Sequence, residues 1–220
     1  MNALQTPLKS DTWIEASWQD FIQATANPDY KKAKFYYHQG QLRIEMTPVG
    51  NDHARDHSII NIAINVYASL RGIPLNGNDN CSYRLTNYGE VQPDLSYYIG
   101  DVVNKIPYGT GIVELGQFPP PTLVVEIANS SLAEDQGQKQ LLYEELGIKE
   151  YWIVDVKKGE IIAFKLENCG SYRIRESQVL PLLKLSILEE ALKMARRTNH
   201  GQVMAWLLKI FSNAGEGKIP

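Results

Sequence analysis

Residues 122–128, TLVVEIA, form an unbroken apolar run interrupted by one charge, Glu126. Continuous apolarity, in place of alternation, is the pattern of a central strand covered on both faces. The rest of the chain must therefore supply a layer on each side of a sheet. An isolated carboxylate taken out of water costs several kcal/mol or changes its pKa, so Glu126 calls for a cation or a metal.

The flanking sequence supplies those layers. Residues 1–16 read as a loose arm, after which Ser17, with Asp20 three positions on, caps a short helix SWQDFIQATA. AKFYYHQGQLRIEM reads as a hairpin turning at His38-Gln39-Gly40-Gln41, with Phe35 and Tyr37 on one face and Leu42 and Ile44 on one face. Apolar residues recur at helical spacing from His53 to Leu70 and predict a long helix. CSYRLT and VQPDLSYYIG are strand candidates, separated by a turn at Asn87-Tyr88-Gly89, and the glycines and prolines of residues 100–121 predict a loop. SSLAEDQGQKQLLYEELG is read as one helix ending at Gly147. EYWIVDV, GEIIAFKL and SYRIRES add three strands, and SILEEALKMARRTNHGQVMAWLLKIF one long amphipathic helix or two broken near Gly201. The expected organisation is an α/β (α+β) fold with a single domain over residues 17–212 and a frayed tail over 213–220.

Composition narrows the function. With 44% hydrophobic and 21% charged residues the chain is of globular type, and no apolar run approaches the length of a membrane span. The start lacks a basic segment followed by an apolar one, so cytoplasmic residence is the expectation. Cys81 and Cys169 have no CxxC spacing and no neighbouring histidine, and are expected to be reduced. A net charge of -3 counts against constitutive, tight nucleic-acid binding, although acidic metal ligands lower formal charge without excluding a nuclease. No GxxxxGK[ST], GxSxG or GxGxxG occurs, which removes support for nucleotide-hydrolase, serine-hydrolase and dinucleotide-binding functions.

The residues left to carry chemistry are acids and a lysine. Asp94, after Pro93, and Glu126 sit on different strand segments that a sheet edge can bring side by side, a pair suited to Mg2+. A turn role for Asp94 and a core ion pair for Glu126 stay open. Asp135, Lys139 and Tyr143, at intervals of four, share a helix face. Lys139 either activates or orients a metal-bound water or forms a solvated ion pair with Asp135, and from spacing alone the ion pair is favoured. His53 and His57 lie one turn apart, a spacing that can ligate zinc, but HARDH lacks the glutamate of HExxH, so ordinary N-terminal helix residues or a histidine approaching the cleft are favoured over a zinc pair. Glu45 is either an exposed strand residue or a further carboxylate of the site.

The blocks QPDLSYYI, PTLVVEIANSS and AEDQGQKQLLYEELGIKEYWIVDV, preceded by GQLRIEMTPVGNDHARDHSIINIAINVYASL, resemble the Uma-type restriction endonuclease family of the PD-(D/E)XK nuclease superfamily over residues 30–185. The resemblance implies a restriction-endonuclease-like central mixed β-sheet flanked by helices, with an N-terminal β-hairpin and a C-terminal helix. It also implies a DNA endonuclease that hydrolyses phosphodiester bonds with Mg2+, or Mn2+ as substitute. Asp94 and Glu126 become the metal ligands and, with Lys139, the catalytic set, supported by Glu45, His53, Tyr143 and Asp135. Ala128 stands where the superfamily lysine is expected, and the resemblance places that lysine at Lys139 on the following helix. A catalytically inactive nuclease-fold binding module is the alternative, and two-strand cutting by a one-site protein favours a homodimer.

Overall fold

A computed structural model of the chain describes residues 10–46, 50–167 and 170–213. The first nine residues of the expected arm, Cys169, and residues 214–220 of the expected tail lie outside them.

The hairpin anticipated near the N-terminus consists of β2 (Lys34–His38) and β3 (Gln41–Glu45). Its two-residue turn, with φ 45° at Gln39 and 84° at Gly40, is of the kind whose twist matches paired strands. The arm is not loose throughout: Trp13–Glu15 forms an edge strand, β1, against β3 with Trp13 opposite Arg43. The Trp13 indole N–H donates to Glu134 Oε2 at 2.9 Å, which ties this strand to a distant element. Ser17 caps α1 (Trp18–Thr25) in a complete capping box with Asp20.

The long helix α2 (Asn51–Leu70) follows, then β4 (Leu75–Asp79), a strand the sequence did not signal. Its LNGND composition is poor for a strand, and it forms because the exposed edge of β7 (Leu95–Ile99) offers a ladder partner. Between them β5 (Tyr83–Leu85) and β6 (Gly89–Val91) form a hairpin across the turn containing Asn87. The stretch read as loop over residues 100–121 contributes a two-residue strand, β8 (Val113–Glu114), parallel to β5.

The apolar run is β9 (Leu123–Ala128), buried along its whole length. The single helix expected after it is broken by Gly137 into α3 (Leu132–Asp135) and α4 (Gln138–Glu145). β10 (Glu150–Asp155), β11 (Glu160–Glu167) and β12 (Gly170–Ile174) come next, and the C-terminal segment is two helices, α5 (Leu185–Ala195) and α6 (His200–Asn213).

Among the described residues these strands make two mixed six-stranded sheets, ordered β1-β3-β2-β6-β5-β8 and β12-β11-β10-β9-β7-β4. Parallel pairing of β9 with β10 requires a crossover, which α3 and α4 supply. The period of two along β9 assigns its faces. Leu123, Val125 and Ile127 pack with α2, α5 and α6 in one core. Val124 and Ala128 pack in a second core that joins Tyr36, Tyr83 and Val91 of the first sheet to Leu142 and Tyr143 of α4. A third core seats Phe21 of α1 on Phe35, Tyr37, Leu42 and Ile44 of the hairpin. The α/β architecture of mixed sheets flanked by helices, with hairpin and C-terminal helices, is as the sequence implies. Glu126 falls on the β9 face turned toward the first sheet.

Candidate active site

The pairing of β7 with β9 sets the first contact. These strands are antiparallel with Leu95 opposite Val125 and Ser96 opposite Val124, so one further step along the ladder places Asp94 across from Glu126. Regular pairing stops there, and the acid side chains continue the bonding. The Ile127 N–H donates to Asp94 Oδ2 at 2.8 Å, and the Asp94 N–H approaches Glu126 Oε2 at 3.4 Å. Thirty-two residues apart in sequence, the two carboxylates thus meet at the end of one strand pair.

Glu126 is 3% exposed. Its Oε1 accepts hydrogen bonds from the phenols of Tyr143 at 2.6 Å and Tyr36 at 3.1 Å, and the Lys139 ammonium lies 3.8 Å away. Lys139, itself 1% exposed, also meets Glu45 Oε1 at 2.9 Å and Asp135 Oδ1 at 3.1 Å, with its charge 4.0 Å from the centre of the Tyr36 ring. Arg43 Nε donates to the same Glu45 oxygen at 2.8 Å, and Ser131 Oγ to Asp135 Oδ2 at 2.6 Å. Asp135 closes α3 and Lys139 lies in the first turn of α4, on either side of the break at Gly137.

Asp94 is held from the other side. Lys34 Nζ hydrogen-bonds to Oδ1, and His53 Nε2, 3.1 Å away, donates to Oδ2. His53 and His57 stack at 6.4 Å, yet His57 Nε2 turns to Asp79 Oδ1 and the Asp94 carbonyl, each at 3.3 Å. The two rings serve different partners.

These surroundings drive the two acids apart. Burial pushes the Asp94 carboxyl up, but the His53 hydrogen bond and the Lys34 charge outweigh it and hold the group well below the usual carboxylate range. At Glu126 burial wins over the attraction of Lys139, and repulsion from Asp94 adds to it, so its pKa rises to about 7. Burial alone would lower the Lys139 pKa, but Glu126, Glu45 and Asp135 raise it well above the ordinary lysine value. Tyr36 and Tyr143 are pushed far up by burial and by Glu126, and remain neutral donors.

Asp94, Glu126, Glu45, His53 and Lys139 line one cleft of about 510 Å³ with Asn129 and Ser130. Among the described residues no group of three or more His, Cys, Asp or Glu side chains converges as metal ligands. Zinc sites use three or four such ligands, whereas Mg2+ takes one or two carboxylates and fills its other positions with water and phosphate oxygens. Two facing carboxylates in an open cleft, one with its pKa raised by burial and further by the other's charge, are a donor set of the second kind. A divalent cation between them would relieve that repulsion.

The structure therefore brings together every residue singled out from the sequence: Asp94, Glu126, Lys139, Glu45, His53, Asp135 and Tyr143. One expectation changes. The Asp135 and Lys139 pair is not a solvated surface pair, since both residues are 1% exposed. Lys34, Tyr36 and Arg43 went unnoticed. Their signal was the strand period, which puts Lys34 and Tyr36 on the hairpin face opposite Phe35 and Tyr37, and Arg43 and Glu45 opposite Leu42 and Ile44.

A crystal structure from Anabaena variabilis ATCC 29413, described as a "putative nuclease belonging to DUF820", superposes with a TM-score of 0.57 at 15% identity, covering 80% of this chain and 98% of that one. The likeness shows a shared mixed α/β fold. Residues 18–214 match the model of the Uma2 family, described as "Putative restriction endonuclease", and the chain belongs to that family. No functionally curated protein matches it. Among the described residues no helix is long and apolar enough to cross a membrane.

Proposed function

We propose that the cleft hydrolyses DNA phosphodiester bonds with Mg2+, or Mn2+ as substitute, held by Asp94 and Glu126. The observation that carries this reading is their juxtaposition at the end of the β7 and β9 pair, with Lys139 within 3.8 Å of Glu126. The bound cation would polarise the phosphoryl group and lower the pKa of a water nucleophile.

The protein's own groups do the rest. Lys139 stays an ammonium among three carboxylates, so it serves as a fixed positive charge for the developing phosphorane and for orienting water, and not as the base. Tyr36 and Tyr143 occupy Glu126 Oε1 and leave Oε2 toward Asp94. His53 and the Ile127 amide fix the rotamer of Asp94 through Oδ2. Glu45 and Asp135 position Lys139. One such cleft cuts one strand, so two-strand cleavage would take a second copy.

Nicking of supercoiled plasmid tests the proposal. It is expected to need Mg2+ or Mn2+, to stop in EDTA, and to disappear in Asp94→Asn and Glu126→Gln while thermal unfolding confirms that both variants fold. Cleavage that persists in both variants, or in EDTA, would overturn it.

A further inference from the structure

A second cleft, of about 450 Å³, opens on the other side of Asp94 and is lined by Lys31, Lys32, Lys34, His53, His57, Asp79 and Asp94 among others. It shares Lys34, His53 and Asp94 with the first, so the two are arms of one trough that meet at Asp94. Their charge is opposite. The first arm carries Asp11, Glu45, Asp94, Glu126 and Glu134 against Lys34, Arg43 and Lys139. The second arm sets three lysines against two carboxylates, one of which, Asp79, faces His57.

Resting on the nuclease reading above, we propose that the lysine-lined arm is the track for the phosphodiester backbone next to the reacting group, so that a strand lies over Lys31 and Lys32 and not over the acidic arm. A strand whose reacting phosphate sits at Asp94 must place the neighbouring phosphates in one arm or the other. In the acidic arm they would meet four further carboxylates, and like charges a few ångströms apart repel strongly where water is partly excluded. In a chain of net charge -3, binding depends on such a local concentration of cations. Lys31 and Lys32 are exposed just ahead of β2, while Lys34, two residues on, is half-buried against Asp94. The lysines therefore lead from the protein surface to the proposed metal ligand. The acidic arm is left for the cation, which gives the trough a direction.

The test is binding without cleavage: fluorescence anisotropy of a duplex 20-mer with the full chain in EDTA, across a salt series. Lys31→Ala with Lys32→Ala is expected to weaken binding about tenfold at low salt and to flatten the slope of log K against log salt by about two. Lys157→Ala with Lys158→Ala removes the same charge from exposed lysines that line neither arm, and is expected to leave affinity unchanged. Equal losses from both pairs, no loss from the first pair, or no binding by the unaltered chain would overturn the proposal. Its failure is separable from that of the nuclease reading. Plasmid nicking that depends on Asp94 but not on Lys31 and Lys32 sinks only the track, and lysine-dependent binding with no metal-dependent nicking sinks only the nuclease.

Discussion

Lys34 and Lys139 neutralise carboxylates in the same cleft under different conditions. Lys139 is sealed, with three acids, a tyrosine ring and almost no solvent around it. The Lys34 side chain keeps 13% of its exposure, sits where two arms meet, and shares Asp94 with His53 and a backbone amide. The sealed lysine is part of the architecture, because among the described residues Glu45 meets a second cation, Arg43, while Glu126 and Asp135 pair with Lys139 alone. The open one is replaceable. The proposed binding of a cation and a polyanion in turn would need both kinds: a charge that never leaves and a charge that can change partners.

The sharpest way to break this contrast is to remove each lysine. Lys139→Met leaves the buried Glu126 and Asp135 carboxylates without their cation and Glu45 with Arg43 alone, and is expected to lose about 3–5 kcal/mol of stability. Lys34→Ala leaves Asp94 with two remaining donors and is expected to lose about 1 kcal/mol. Urea unfolding measures both, and equal losses would erase the distinction.

Next in size is the chemistry. Asp94→Asn keeps the shape of the open side and is expected to lower the nicking rate by about 10²–10³-fold, with a moderate fall in melting temperature because the ionised form is the one that Lys34 and His53 hold. A large fall in melting temperature would instead make Asp94 a structural acid.

Glu126 and Asp94 should also separate by pH. A cation needs the ionised form of both, Asp94 is ionised throughout the neutral range, and Glu126 titrates at about 7. Mn2+ affinity, read by calorimetry, is expected to fall about fivefold from pH 7 to 6 and to change less than about twofold from pH 7 to 8. The sign for stability is the reverse. Because the folded pKa lies above the ordinary 4.5, protonated Glu126 contributes stability that is complete below pH 4.5 and lost as pH rises through about 7. A flat Mn2+ profile would mean that Lys139 controls Glu126 more strongly than burial does.

The smallest effect tests the sealed side alone. Tyr143→Phe deletes one hydrogen bond to Glu126 Oε1 while Tyr36 retains the other, and is expected to lose about 1 kcal/mol.

The parts of this arrangement legible in the sequence were those that leave a local trace. Glu126 stood out as the charge in an apolar run, and Ser17 with Asp20 as a helix cap. Asp94 and Lys139 were weaker, a turn acid and a surface-type ion pair until the family resemblance weighted them. β4 and β8 left no pattern because edge pairing created them. Lys34 left only the strand period, since a lysine at the start of a strand is ordinary until strand pairing aims it at Asp94. The split of α3 from α4 falls at Gly137, inside a segment read from the sequence as one helix. There an added Cβ would stand 3.1 Å from the Ala133 carbonyl oxygen.

The Gln39-Gly40 turn carries a consequence at a distance from any of this chemistry. Lys34 and Tyr36 face the cleft, with Arg43 and Glu45 beside them, only because the turn is two residues long and pairs Lys34 with Glu45 and Tyr36 with Arg43. One inserted residue that shifts the register would exchange the faces of one strand, sending either the charged set toward α1 or the aromatic set toward the acids. The integrity of the cleft is thus a matter of parity, kept by a loop that never touches it.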